Sequence, residues 1–428
     1  MKRFALFFLT VVFIETFAGQ SYKELVETLA KNSGKKGGAE LIPTFRELEF
    51  YSEYPHQKNI CYLNLALAYK AIKKQDSVIH YIGKVTQFDL LTEIHFASMK
   101  LNAEDLLNYI DFSSKEWQMI NSKRIQPIIS ESHSKFEEIK FHFEDINNFW
   151  LAFDKGLQDS FARRKLMREY LESLSYPSKC FFANGFSDSK YFTDYIFNRR
   201  KYFSSIRTRT LNLDSSFYHH LKVALDKAKP FFKSACYNDI YFTIGTMHDP
   251  IAMFETGVLI VPINFYALDD KTNLEGLTIY EQRITKSINY LPACIIHELT
   301  HPNQNLSASN YLLSEAISEG MADYFAEYFT GLYLREYVTT WTQGKVRYWW
   351  NKFKIAEYKT KDTTFFPFVL EEITENHPIH ISTYFGYQIC KKYVSNKSNG
   401  LQKLLREKRS RAILLESLWE QYVSTLSL

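Results

Sequence analysis

Between Leu291 and His301 the chain reads Leu-Pro-Ala-Cys-Ile-Ile-His-Glu-Leu-Thr-His, and no other stretch constrains the fold as tightly. Apolar residues at 291 and 293–296 place it on a buried helix. On a helix, two imidazoles four residues apart project from one face about a turn from each other, so His297 and His301 can grip one metal ion. Glu298, offset by one residue, does not point with them but can reach a water on the metal's open side. Pro302 biases the residue before it away from helical backbone, which predicts that the helix ends at His301.

A third ligand is expected downstream, where the chain runs Ser-Glu-Ala-Ile-Ser-Glu-Gly-Met-Ala-Asp-Tyr-Phe from Ser314 to Phe325. A second helix carrying a glutamate here completes a His-His-Glu set for one zinc ion per chain, with water as fourth ligand. Glu315 and Glu319 are four apart and share a face, so spacing allows either. Glu319 is favoured, because Gly320 lets a neighbouring helix approach and Asp323 lies one turn further along. Asp323 would then accept the free ring N–H of a metal-bound histidine and fix its tautomer. In the rival assignment Glu315 is the ligand and Glu319 is that supporting acid. In either case Glu298 is placed to take a proton from metal-bound water, the general-base role in a zinc peptidase. There is no GxSxG, and the cysteines stand singly, so a Ser or Cys nucleophile has no visible context.

A chain of 428 residues exceeds what one core usually serves, so two units are expected. Only 15 Gly and 11 Pro interrupt it, which predicts long helices. The convincing strands are Asp239–Gly245 and Gly257–Pro262, with Pro262 ending the second or marking an edge. The fold class is therefore mainly α with a small β-sheet (α+β). Residues 1–18 read as a signal peptide: Lys2 and Arg3, an apolar run from Ala5 to Ile14, then Thr16-Phe17-Ala18. That run is shorter than the ~20 residues a membrane-spanning helix needs, and no later stretch supplies one, so no stable membrane span is expected. An uncleaved anchor is the alternative. In both cases the protein is exported across the inner membrane, to be periplasmic, surface-associated or secreted.

Residues 19–125 read as a helical, tetratricopeptide-like region, clearest in Ile60–Tyr69, a polar turn at Lys73–Asp76, and Ser77–Val85, with a second unit in Ala97–Asn108. Residues 126–139 read as a linker and 140–428 as the metal-binding domain. The formal charge of +4 is small and shows no basic stripe, which argues against nucleic acid. Five scattered cysteines make no disulfide framework, and Cys294 reads as a small buried hydrophobe.

Over roughly residues 140–428 the chain resembles predicted zinc-dependent proteases of a family labelled a domain of unknown function, within the wider gluzincin group. The resemblance is carried by Asp145-Ile146, Phe149-Trp150, the two strands, His297–His301 with Gln304, Glu319–Tyr324 and Gly386–Ile389. It implies a gluzincin-like metallopeptidase domain with zinc on His297, His301 and Glu319 and Glu298 as general base. Met247–Met253 is bulkier than the Gly-rich turn the family tends to have between its strands. An oxyanion donor is expected among His377–Tyr387: Tyr387 first, from the family's late Gly-Tyr pair, then His380 and Tyr384. The leading expectation is a zinc metallopeptidase, a hydrolase acting on peptide or protein substrates outside the cytoplasm. The second is a protein-binding module whose N-terminal helices engage a partner while the metal site is structural or inactive. A non-peptidase hydrolase on the same frame is a third.

Overall fold

The computed structural model describes residues 38–52, 55–86, 92, 114–123, 133–175, 177–178, 189–213, 215–232, 237–247, 252–253, 259–307, 309, 311–358 and 380–426. The expected signal peptide and the second helical unit at Ala97–Asn108 lie outside the described residues. The chain divides into two compact units, residues 1–128 with 147–198, and residues 129–146 with 199–428. Residues 147–198, read from the sequence as part of the C-terminal domain, thus group with the N-terminal helices.

In the first unit lie α1 (Gly38–Tyr51), α2 (Pro55–Ala71), α3 (Gln75–Lys84) and α4 (Ser114–Asn121). Leu63, Leu65 and Ala66 bury α2, and its Tyr69 stacks on Tyr81 of α3 with ring centroids 5.4 Å apart. Lys73, with φ +60°, turns the chain between these two helices. Glu116 of α4 is fully buried and stays charged-compatible because Lys70 and Gln75 donate to it at 3.1 and 2.6 Å. The same unit holds most of α5 (Glu144–Gln158), with α6 (Arg163–Ser173) and α7 (Ser189–Asn198). Here the aromatic stripe of α5 does the packing: Phe149 meets Tyr170 at 5.4 Å and Phe153 stacks on Phe197 at 5.4 Å.

The second unit carries the sheet. β1 (Phe141–His142), β2 (Ile240–Thr243), β3 (Ala252–Met253) and β4 (Leu259–Pro262) lie in the order β1-β2-β4-β3. The first three in that order are parallel, and β3 runs antiparallel at the edge. All four residues of β4 are buried, as a strand covered on both faces requires. Before β1, part of the stretch read as a linker is structured: His133 N–H bonds the Tyr237 carbonyl at 2.8 Å, and Phe136–Glu138 form a 3-10 turn. The helices of this unit are α8 (Arg200–Leu211), α9 (Ser215–Ala228), α10 (Ile279–Ile284), α11 (Leu291–Thr300), α12 (Leu312–Thr330), α13 (Glu336–Thr342), α14 (Val346–Ala356), α15 (Ile381–Ser395), α16 (Gly400–Arg406), α17 (Ser410–Ser417) and α18 (Trp419–Ser424). The architecture is mainly helical with a small sheet, in agreement with the expected α+β class.

Two glycines set the closest helix crossing. A Cβ on Gly386 of α15 would overlap the Ala316 carbonyl of α12, and one on Gly320 of α12 would overlap the backbone of Gly386 and Tyr387. The helices touch backbone to backbone, which only glycine permits here. Below them Phe385 meets Trp350 and Phe353 of α14 at 5.2 and 5.4 Å. The helix that carries Glu319 and Asp323 is thereby fixed against a rigid neighbour.

Candidate metal centre

Leu291, Ile295, Ile296 and Leu299 are almost wholly buried, so α11 is a core helix; its His297 is buried with them, and His301, just past its end, is part-buried. The helix ends at Thr300, and His301–Asn303 continue as one 3-10 turn. Pro302 does not push His301 to extended backbone, contrary to expectation: His301 keeps φ −53° and ψ −52°. The turn survives because Asn303 Nδ2 donates to the Leu299 carbonyl at 2.8 Å and Gln304 N–H to that of Thr300 at 3.1 Å. Gln304 then reaches α12, donating to the Ser318 carbonyl and accepting from the Ser318 hydroxyl, both at 2.7 Å.

This places three donor atoms together. His297 Nε2 and His301 Nε2 are 3.3 Å apart, and the Glu319 carboxylate oxygens lie 3.4 Å from the first and 3.5 Å from the second. Ligand atoms ~2.0–2.2 Å from a tetrahedral zinc ion are separated by about 3.3–3.5 Å. The two imidazole nitrogens have that spacing, and each has a different Glu319 oxygen at a comparable distance, so this triad of side chains is close enough to share one ion. Among the described residues it is the one group of three or more His, Cys, Asp or Glu close enough to share an ion.

The surroundings prepare the ligands. His297 Nδ1 bonds Asp323 at 2.8 Å, and the other oxygen of Asp323 accepts from Arg335 Nε at 2.7 Å. Asp323 is fully buried, and with its charge shared between histidine and arginine it sits below the usual carboxylate range despite that burial. Gly331, at φ +78°, ends α12 and turns the chain so that Arg335 can return to Asp323. Burial opposes a charge on His297, but the carboxylates of Asp323 and Glu319 outweigh it and raise its pKa to about 10. Burial likewise opposes the Glu319 carboxylate, and its two histidine neighbours hold it below the ordinary range all the same. A bound cation would take over the role that protons play in this cluster.

The remaining sequence candidates fall differently. Glu298 lines a cavity of about 240 Å3 beside the triad, where burial raises its pKa to about 7. His380 lines the same cavity as the residue preceding α15, in left-handed backbone at φ +69°, and burial with nearby Arg335 lowers its pKa to about 3. Glu315 is outside the triad, in a polar recess with Ser307, Ser314 and Ser318. Tyr387, the first choice as oxyanion donor, is turned away: its hydroxyl donates to Glu327 and accepts from Lys391 at 2.7 Å, while its ring stacks on Tyr333 at 4.2 Å. Committed to that surface cluster, it does not line the cavity. The sequence reading missed Arg335, which lies beyond a helix end with no periodic relation to its partner. It also missed Arg283, Lys286 and Tyr266, which line the cavity.

Fold and site together define a mainly helical α+β protein with a partly buried His-His-carboxylate cluster. The chain belongs to the gliding motility protein GldB family, whose family model matches residues 129–421, more than half of the chain. No curated protein and no solved structure matches it. Membership corrects the sequence reading at its centre. The family is one of gliding motility lipoproteins and not of zinc proteases, so the resemblance to gluzincin-type zinc proteases, the metallopeptidase domain and the assignment as a hydrolase are all overturned. The HExxH spacing misled because two histidines a turn apart with a glutamate between them specify metal geometry, and geometry alone specifies no reaction. Membership accords with an exported or envelope-associated protein that has protein partners. Among the described residues no helix is long and apolar enough to cross a membrane.

Proposed function

We propose that this chain is an exported, non-enzymatic component of the gliding machinery that binds a partner protein. In this reading its C-terminal unit is braced by one structural Zn2+ on His297, His301 and Glu319. The observation that carries the metal is the 3.3 Å separation of the two imidazole Nε2 atoms, with one Glu319 carboxylate oxygen 3.4 Å from the first and the other 3.5 Å from the second. The group fits by chemistry as well: two imidazoles and a carboxylate are ordinary zinc donors, and Asp323 holds the His297 ring nitrogen opposite the ligating one. The ion's part would be to tie the end of α11 to the middle of α12. The N-terminal helices supply a surface for a partner, with Phe50 at the end of α1 82% exposed.

The test is complementation of a deletion strain of the source bacterium, read as colony spreading, with bound zinc measured on the purified proteins. His297→Ala and Glu319→Gln should lose zinc and spreading together. Glu298→Gln should keep both, since no step in this reading uses that carboxylate. Loss of spreading in Glu298→Gln with zinc retained would sink it, as would full spreading by a zinc-free His297→Ala chain.

A further inference from the structure

The cavity beside the triad has walls the bracing role does not use. Three cationic side chains line it, Arg283 from α10, Lys286 from the segment after α10, and Arg335, with Glu298 and Glu319 as the only acids among the described residues. Behind Arg335 stands Asp323. With His297 holding a proton the metal-free site carries one positive charge in excess, and a dication on the triad in place of that proton would leave two. A partly enclosed wall of that sign selects an anion. Besides His297 and His380, the rest of the lining is aromatic and apolar, Phe265, Tyr266, Tyr280, Tyr337 and Met247 among it.

The backbone holds this wall in place. Lys286 N–H donates to the Phe265 carbonyl at 2.7 Å, and its Nζ to the Leu334 carbonyl at 2.8 Å. The Asn264 side chain accepts from Gly245 N–H at 3.0 Å, and Tyr202 donates its hydroxyl to the Asn264 carbonyl, fixing the turn that carries Phe265 and Tyr266. Glu281 is fully buried and paired with Arg199 at 3.0 Å, which anchors α10 and with it Arg283. Lys286, Arg335 and the turn that carries the rings are therefore preset, as recognition at low entropic cost requires, while Arg283 stands exposed on an anchored helix.

We propose that this cavity captures the C-terminal residue of a partner protein, an apolar or aromatic side chain seated on Tyr266 and Tyr280 and its free carboxylate met by Arg283, Lys286 and the metal edge of the site. The inference rests on the zinc reading above. At about 240 Å3 the cavity is below the ~300–1,000 Å3 of pockets for drug-sized ligands, which suits a single residue. A chain terminus supplies a side chain and a carboxylate on one carbon, and planar carboxylates match guanidinium geometry.

The experiment uses the whole mature chain, zinc-loaded, and calorimetric titration with acetyl-Ala-Ala-Phe as free acid and as C-terminal amide, with hydrocinnamate as a free small carboxylate. The acid should bind at least about tenfold more tightly than the amide and than hydrocinnamate. Arg283→Gln, at an exposed position, and Lys286→Met should each cut that preference several-fold while zinc content and circular dichroism stay native. Equal binding of acid and amide, or binding of neither at millimolar concentration, overturns the proposal while a native zinc content leaves the metal reading standing. Hydrocinnamate binding as tightly as the peptide acid overturns the chain terminus in favour of a free small carboxylate. A wild-type chain that takes up no zinc fails the metal reading, and the inference falls with it.

Discussion

Asp239 shows how one side chain joins separate segments. One carboxylate oxygen accepts from His133 Nε2 at 2.7 Å and from the Lys140 amide at 2.9 Å. Its other oxygen lies 3.9 Å from His142, whose ring stacks on Tyr241 at 4.0 Å. Burial works against the charge, yet the Lys140 amide and His133 outweigh it and hold Asp239 below its ordinary 3.8. A folded pKa below the unfolded one means that the ionised group contributes stability above pH 3.8, lost as pH falls through the lower folded value. Asp239→Asn should therefore cost about 1–3 kcal/mol in urea unfolding near neutral pH. The wild-type and variant curves should draw together in acid, where Asp239 is protonated. A constant gap across that range would show that the loss came from packing and not from charge.

At the scale of elements the glycine crossing of α12 and α15 is decisive. Gly386→Ala must force the Ala316 carbonyl away, so overpacking at its upper end is expected, about 3 kcal/mol or more. Gly83→Ala in α3 is the control, since nothing lies within 4 Å of a Cβ there, and it should be neutral or slightly stabilising. Thermal unfolding of the two variants measures the contrast, and similar melting temperatures would dismiss the crossing as a constraint. The same distinction separates what could be read in the sequence from what could not. His297 and His301 were legible because helical period fixes spacing within one element. The β-branched runs that became β2 and β4 were legible for the same local reason, whereas β1 and β3, two residues each, carry no pattern. Spacing alone left Glu315 and Glu319 both open; Gly320 and Asp323 favoured Glu319, and it is Glu319 that lies beside the two histidines. The cations of the cavity were illegible because Arg283 sits on the six-residue α10, Lys286 in the irregular segment after it, and Arg335 beyond a left-handed turn, so no periodicity relates them to the motif helix.

For the molecule as a whole, a metal-braced second unit predicts a selective response to chelation. Saturating zinc at about a thousand times its dissociation constant would stabilise that unit by ~4 kcal/mol. Stripping it should lower the unit's melting temperature by on the order of 10 °C. The first unit, with no part in the triad, should melt unchanged, and calorimetry with and without chelator resolves the two transitions. A uniform shift, or none, would remove the brace. The triad's placement also has a mechanical meaning. His301 ends one helical run and Glu319 sits in the middle of the next, so the proposed ion between them would close a short loop as a clasp does. Tension on the chain would have to break coordination before α11 and α12 could part, and the clasp would re-form when the load fell. In the proposed role, such a fastening would yield under overload and reset without covalent repair.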